Sequence, residues 1–415
     1  MGGFLLRRCK SLHYQISNLA DSSSNGYTLL LLDYPLHWVK SSYDYFMYTN
    51  DVAYIQKYYQ TIINTLDNYY PSITNTTTNL ITKGIAGSGG YGDYAFLPRS
   101  GPVTYYNALY VLALDNAASM ASYLGYKDDA SRWLARAATV SAALNKYNFD
   151  TAAGAFYDGT CGSTYCNTHP QDGNALSIVS GAVPATSSRA NSILTYLSTH
   201  HSRPWGNSFY DNDVLAGGFS QRVYAFISYF ELQARFMAGQ PASALEELRR
   251  LYGWMASHDP EITQWEGIGD NGTPYEGGYT SHAHGWATGI VPLCTNYLLG
   301  IMPTGPGFGT YKVKPIPGDL SWARGVVSTP NGPLRVSWTR DQAMGTFYLS
   351  MSGPKNAKGT IYVPVENGDV AVYVDGEAAW DGGWSLAFGA VQIDGYVSVE
   401  IEDAANHIVT VGYKS

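Results

Sequence analysis

Basic charge is in short supply in this sequence: 25 Lys and Arg stand against 33 Asp and Glu, a formal charge of -8, with the cations scattered along 415 residues. No electrostatic footprint for nucleic acid or another polyphosphate is left. Long apolar runs are missing too. No stretch of ~18 uninterrupted apolar residues exists, so a membrane-spanning helix is not expected. The opening MGGFLLRRCK is too short in apolar run for a secretory leader. Cysteine is scarce, and His200-His201 and His282-x-His284 are the only histidine clusters. Without a third ligand at a sensible spacing, no metal site is expected, and no cofactor. GSGGYG lacks the preceding strand, the Lys-Ser/Thr pair and the distant acid of a nucleotide loop, which makes it a loop only. Global disorder is excluded by a 45% hydrophobic content in a chain long enough to bury a large core.

Present in quantity are 35 Tyr, 10 Trp and 44 Gly. Flat aromatic faces stack on the C–H faces of sugar rings and glycines let loops reach into a groove, although most buried aromatics simply fill interhelical space. Two of the four cysteines, Cys161 and Cys166 in CGSTYC, lie in a Gly/Ser/Thr loop and read as a short-range disulfide, with Cys9 and Cys294 free or buried. Sequons at Asn75 (NTT) and Asn271 (NGT) agree with an oxidising, extracellular setting. Such a location requires either export information outside this chain or a chain incomplete at its beginning.

From about residue 27 to 300 the pattern is helical. YPLHWVKSSYDYFMYTND, DVAYIQKYYQTIINTLDNYY and TYYNALYVLALDNAASMASYLG carry apolar residues at helical spacing. DDASRWLARAATVSAALNKY follows, with acids suited to a helix N-terminus. Further helices are expected at NALSIVSGAV, SSRANSILTYLSTHH, SQRVYAFISYFELQARFMAG, PASALEELRRLYGWMASH and HAHGWATGIVPLCTNYLLG. These nine or ten helices predict successive antiparallel hairpins around a central axis, an (α/α)6-toroid-like domain over residues 1–304 that is short by about one hairpin at its N-terminus. An opened ring exposes apolar helix faces, which predicts self-association or low solubility. After Gly300 the chain turns Gly/Pro-rich. LRVSWTR, GTFYLSMSG, GTIYVPV, VAVYVDG, YVSVEIE and HIVTVGY then alternate apolar and polar residues between Asn-Gly and Asp-Gly turns, predicting an antiparallel β-sandwich over residues 305–415.

The stretch TQWEGIGDNGTPYEGGYTSHAHGWATGIVPLCTNYLLGIMPTGPGFGTYKVKPIPGDLSWARGVVSTPNGPLRVSW resembles the fungal and bacterial α-L-rhamnosidases of the inverting glycoside hydrolase type. Thr263-x-Trp265-Glu266 is similar to that family's general-base box. Ser281-x-x-His284 is similar to its Ser-x-Asn-His box, with Ala283 in place of Asn, and GYGDYAF around Asp93 to its Gly-Asp-Trp-Leu loop, with Tyr94 in place of Trp. The resemblance runs over most of the chain from about residue 30. It implies release of terminal α-L-rhamnose from glycosides or plant polysaccharides, with Glu266 as general base and His284 touching the sugar.

Inversion needs two carboxyl groups on opposite faces of the sugar, about 6.5–9.5 Å apart, one as acid and one as base for a water. Glu266 lies in a loop that Gly267, Gly269 and Gly272 let bend over a pocket. Trp265 and Trp286 either stack on the deoxyhexose or join the core, Trp286 being the better wall. His284 either touches sugar or bonds backbone at a helix start. Asp93 either bonds sugar hydroxyls or caps a turn, and Tyr34 and Trp38 either line the pocket or pack inside. The family's general-acid segment, Asp-Arg-x-x-Trp-x-Gly-Asp-like, has no counterpart between Met1 and Asp33, leaving Asp33, Asp93 or Asp172 as substitutes. The alternative reading is a non-catalytic or vestigial sugar-binding domain.

Overall fold

The computed structural model describes residues 31–85, 99–214, 217–259, 263–275, 280–354, 356–365, 370–402 and 406–413. Cys9 and Asp93 therefore lie outside the described residues. Among the described residues two compact units emerge: one of 31–43 with Ala53–Ile290, the other of Asp44–Val52 with 291–413.

Among the described residues, eight helices of nine residues or more follow one another: α1 (Tyr34–Thr49), α2 (Val52–Ile63), α3 (Thr104–Leu124), α4 (Lys127–Tyr147), α5 (Gln171–Val179), α6 (Ser188–His200), α7 (Ala225–Met237) and α8 (Pro241–His258). They come in hairpins, and sequence decides which member of each is central. α3 is apolar nearly all round and buries Ala108, Ala113, Ala117, Ala118 and Ala121 together with Tyr105, Tyr106 and Tyr110. It stops at Gly125, whose φ of 83° closes the helix and turns the chain into α4. α4 is amphipathic, with Asp128 and Asp129 at its positive end and Trp133 inward, its indole donating to Asp67 at 3.0 Å. α5 buries all nine of its residues, whereas α6 shows one stripe to the core and is capped by Ser187 Oγ on the Ala190 N–H. α7 and α8 repeat the pattern, α8 opening on Pro241. The central helices α3, α5 and α7 pack side by side in that order.

One expected helix is different. HAHGWATGIVPLCTNYLLG forms a 3-10 turn at Gly285–Gly289, one α-turn at Ile290–Leu293 and a π-turn at Cys294–Leu298. Gly285, Gly289 and Pro292 in its interior lower its helical preference. Gly289 is required there, because a Cβ would stand 2.8 Å from the Tyr229 ring.

Buried charge knits α7 to α8. Glu231 takes Arg235 Nε at 2.9 Å, Gln171 Nε2 at 2.6 Å and Asn207 Nδ2 at 2.7 Å, which outweigh the cost of burial and hold its carboxyl below the ordinary range. Glu247 accepts the Asn207 N–H at 2.8 Å and meets Arg250, but burial and the nearby Glu231 charge push it up to about 7. With a folded value above its ordinary 4.5, the native state holds the extra proton between pH 4.5 and 7. Stability from this group is full below that window and lost as pH rises through it. Glu247→Gln is therefore expected to flatten the fall in melting temperature between pH 5 and 7.5, measured by calorimetric scans at each pH.

In the second unit the strands are β1 (Ile301–Pro303), β2 (Thr310–Val313), β3 (Trp322–Thr329), β4 (Gly332–Asp341), β5 (Thr346–Ser352), β6 (Lys358–Pro364), β7 (Val370–Val374), β8 (Glu377–Asp381), β9 (Trp384–Ser385), β10 (Val391–Ile393), β11 (Tyr396–Ile401) and β12 (Asn406–Tyr413). They form a seven-stranded sheet, β3-β4-β5-β12-β7-β8-β9, and a five-stranded one, β10-β11-β6-β2-β1. Alternation sends Leu334, Val336, Trp338, Leu349 and Val409 into a shared core with Ile361, Val363 and Val399. Asp375-Gly376 and Asp394-Gly395 both take positive φ at both positions, the two-residue hairpin geometry these pairs favour. One pair departs from the antiparallel expectation: β2 runs parallel to β6, with Thr310 opposite Lys358.

Cys161 and Cys166 are joined, with an S–S distance of 2.03 Å, and Cys294 is a free thiol. Asn271 is exposed, its Oδ1 accepting the Thr273 hydroxyl at 2.7 Å, while Asn75 is half-buried and its Oδ1 closes a turn onto the Thr77 and Thr78 N–H groups. No described helix is long and apolar enough to cross a membrane.

Candidate active site

Backbone bonds hold the Glu266 loop in place. Ile268 pairs with Val223 through two bonds of 2.8 and 2.9 Å, just ahead of α7. The Glu266 N–H donates to Ser281 O at 2.8 Å, the His284 N–H to Gln264 O at 3.0 Å, and the Trp286 indole to Glu266 O at 2.8 Å. The main chain at Glu266 is thus tied on both sides to the 281–286 segment, fixing where its side chain departs.

The carboxylate accepts the Ser281 N–H on Oε2 at 3.0 Å and keeps 24% of its surface open. His284 Nδ1 stands 3.8 Å from the same oxygen. Its ring tilts against Trp286 at 4.3 Å, and Trp286 stacks on Phe226 at 5.5 Å and 13°. Phe226 meets His37 at 5.5 Å. A continuous wall thus runs from Glu266 through His284, Trp286 and Phe226 to His37.

At the far end His37 Nε2 lies 3.0 Å from the Tyr105 hydroxyl, which donates to Asp33 Oδ2 at 2.9 Å. Tyr105 has one proton and gives it to Asp33, so His37 donates through Nε2. Burial, and then the Lys40 charge, pull the imidazole down to about 3 and leave it neutral. Behind Tyr105 stands Arg99, fully buried, its guanidinium 5.3 Å from the Tyr105 ring centroid. Arg99 grips Asp172 with two bonds of 2.7 and 2.8 Å and Asp158 through Nε at 2.7 Å.

Of the residues expected at the site, Glu266, His284 and Trp286 come together. Trp265 does not join them: it is 3% exposed and its indole donates to Asp259 at 2.5 Å, so it anchors the loop from below. Trp38 is also core, fully buried and bonded to the Tyr54 hydroxyl at 3.1 Å. Helical spacing put it on the inward side of α1 but does not say how deep that side lies. Tyr34 is half-buried at the head of α1. Asp172 is locked to Arg99, and Asp211 serves His169 at 2.8 Å and Tyr196 at 2.7 Å. Sequence reasoning missed His37, Phe226 and the Tyr105–Asp33 pair. The Phe226/Phe230 spacing at the start of α7 is the one local signal for part of this group. No cluster of His, Cys, Asp or Glu among the described residues is arranged to hold a metal.

Gly267 follows the carboxylate where a Cβ would stand 2.5 Å from the Tyr275 ring and 3.1 Å from Val223 O. Gly267→Ala is expected to push this strand off Val223 and displace Glu266, costing about 1–3 kcal/mol of stability with little change in far-UV circular dichroism. An unchanged melting temperature in this variant would show that the close approach is dispensable.

A family model of the bacterial alpha-L-rhamnosidase 6 hairpin glycosidase domain matches residues 31–203, and one of the bacterial alpha-L-rhamnosidase C-terminal domain matches residues 300–377. Glu266 lies between the two matches. Among solved structures, the chain is similar to a GH78 family rhamnosidase of Bacillus sp. GL1, at 23% identity over 80% of this chain and 34% of that one, with a TM-score of 0.65. It is also similar to an alpha-L-rhamnosidase from Dictyoglumus thermophilum (15%, 91% and 39%, TM-score 0.66) and to one from Streptomyces avermitilis complexed with L-rhamnose (19%, 91% and 32%, TM-score 0.64). The chain thus spans between 32% and 39% of the length of these relatives. No curated protein sequence matches it.

Proposed function

For a chain that belongs to the bacterial α-L-rhamnosidase family, with both its six-hairpin and its C-terminal domain, we propose a glycoside hydrolase that releases terminal α-L-rhamnose with inversion. The observation that carries this reading is Glu266: a carboxylate fixed by Ser281 and Trp286, partly open, beside an aromatic wall. Its Oε2 is engaged by the Ser281 N–H, leaving Oε1 to take a proton from water. Trp286 and Phe226 offer an apolar face to the ring and 6-methyl of a deoxyhexose. His284, beside both Glu266 and Trp286, is placed to bond a sugar hydroxyl. The neutral His37 and the Tyr105–Asp33 pair supply polar groups at the other end of the wall.

Among the substitutes the sequence offers for the second carboxyl, Asp172 has both oxygens on Arg99 and Asp33 is fully buried against the Tyr105 hydroxyl, which makes Asp93 the first to test. Hydrolysis of an aryl rhamnoside by the purified chain tests the proposal. Asp33→Asn and Asp93→Asn, assayed on an activated and an unactivated leaving group, identify the acid by the substrate whose turnover falls more. Steady absence of turnover in folded protein refutes the hydrolase.

One observation favours a second reading. The interior carboxylates Asp158, Asp172 and Asp211 are each bonded to an arginine or a histidine, so none is placed as a proton donor. In this reading the chain binds rhamnose without cleaving it, and calorimetry showing binding without product separates the two. The Cys161–Cys166 bond supports an oxidising, extracellular setting for either.

A further inference from the structure

We propose that the outer face of the seven-stranded sheet is a carbohydrate-binding surface for a single uronate-bearing polysaccharide chain. Sending Leu334, Val336 and Trp338 into the core forces Arg335, Ser337 and Thr339 outward. Outward positions on a solvated sheet are ordinarily polar, yet here every second strand presents a large exposed aromatic. Trp322 on β3 is 59% exposed, Tyr348 on β5 43%, Tyr373 on β7 40% and Trp384 on β9 75%.

Register lines them up. Trp322 lies opposite Thr339, Thr339 opposite Tyr348, Tyr348 opposite Thr410 and Thr410 opposite Tyr373. Trp384 lies opposite Asp381, itself opposite the buried Ala371 two residues before Tyr373 on β7, and a register shift between Val372 and Tyr373 offsets this fourth aromatic from the row of the other three. At about 4.8 Å between strands, successive aromatics are ~10 Å apart, with small threonines leaving the gaps open. That interval suits rings stacking on alternate sugars of an extended chain. Sheet twist turns the platform by roughly 40–50° over two strands, which favours one flexible polysaccharide over a flat crystalline surface. None of the four aromatics makes a side-chain hydrogen bond among the described residues, which leaves indole N–H and phenol groups to sugar hydroxyls.

Charge selects the sugar. Arg324 and Arg335 are diagonal neighbours on β3 and β4 and line a groove of about 490 Å³ with Ser337, Ser350 and Asn406. The Arg324 guanidinium lies 5.9 Å from the Trp322 ring centroid. Neither arginine has an ion-pair partner among the described residues, in a chain of net charge -8. A guanidinium fork matches a carboxylate, and the serines and Asn406 match hydroxyls, the two groups a uronate carries together. Two arginines on an acidic chain are too few for a polyphosphate.

Affinity electrophoresis of the whole chain through gels containing polygalacturonate or neutral galactan tests this. Retardation by polygalacturonate, weakened by salt, is the expected result, with Tyr348→Ala and Trp322→Ala each weakening it about tenfold. The double variant Arg324→Ser/Arg335→Ser is expected to lose the preference for the acidic polymer and its salt dependence. Glu266→Gln is expected to be retarded like the parent, so failure of the hydrolase reading leaves this one standing. The proposal is overturned by no retardation in either gel, or by retardation lost in Glu266→Gln but kept in Tyr348→Ala. It is also overturned if sedimentation shows a dimer that Tyr348→Ala dissociates, because a second copy then covers the face.

Discussion

Glu266→Gln is expected to lower kcat on an aryl rhamnoside by about 10²–10⁴-fold, with KM and melting temperature unchanged. Glutamine keeps the shape of glutamate, so its carbonyl oxygen still accepts the Ser281 N–H and the Trp286 indole still finds the main-chain oxygen. What disappears is the capacity to take a proton from water. A structural carboxylate gives a different signature, since its loss lowers stability and leaves the surviving folded fraction active. His284→Ala separates a sugar contact from a prop for Glu266: a contact raises KM, whereas a prop lowers kcat. Retention of parental turnover in Glu266→Gln removes Glu266 from the chemistry altogether.

The helical hairpins and the sandwich were legible in the sequence because each element has a strong period and clear punctuation. Gly125 ends α3, and two Asp-Gly pairs turn β7 into β8 and β10 into β11. The Cys161–Cys166 bond was legible because a loop of six residues leaves few other partners. The GWATGIVPL segment is helical as expected but changes from 3-10 to α turns, a detail that periodicity does not show, with Gly289 held against Tyr229. Within the site, Glu266, His284 and Trp286 lie within 21 residues, close enough for local reading. Trp265 and Trp38 show its limit: Trp265 adjoins Glu266 in sequence, yet the chain sends the two side chains to opposite sides. The His37–Tyr105–Asp33 group joins residues about seventy positions apart, a contact created only when the fold brings the start of α1 to the start of α3.

Arg99 belongs to the same class of invisible residue, 59 positions from Asp158 and 73 from Asp172, and its loss is expected to be the most damaging to the fold. Arg99→Met leaves two carboxylates buried together without their cation, which costs about 3–5 kcal/mol and on the order of 10 °C in melting temperature. Burial already outweighs the Arg99 charge at Asp158, whose carboxyl is held above the ordinary range with the cation in place. Without it the Asp158 carboxyl rises further, so the native state holds a proton that the unfolded chain releases near its ordinary value of about 4. Stability of Arg99→Met is then present at low pH and lost as pH rises, making the deficit larger at pH 7.5 than at pH 5. Adding Asp158→Asn and Asp172→Asn removes the uncompensated charge and is expected to restore much of the melting temperature. Activity need not return with it: Arg99 backs the Tyr105 ring, and Tyr105 positions both His37 and Asp33. A triple variant that is stable but slow places the role of this cluster in holding the wall of the site, whereas one that regains both properties confines it to burial of charge.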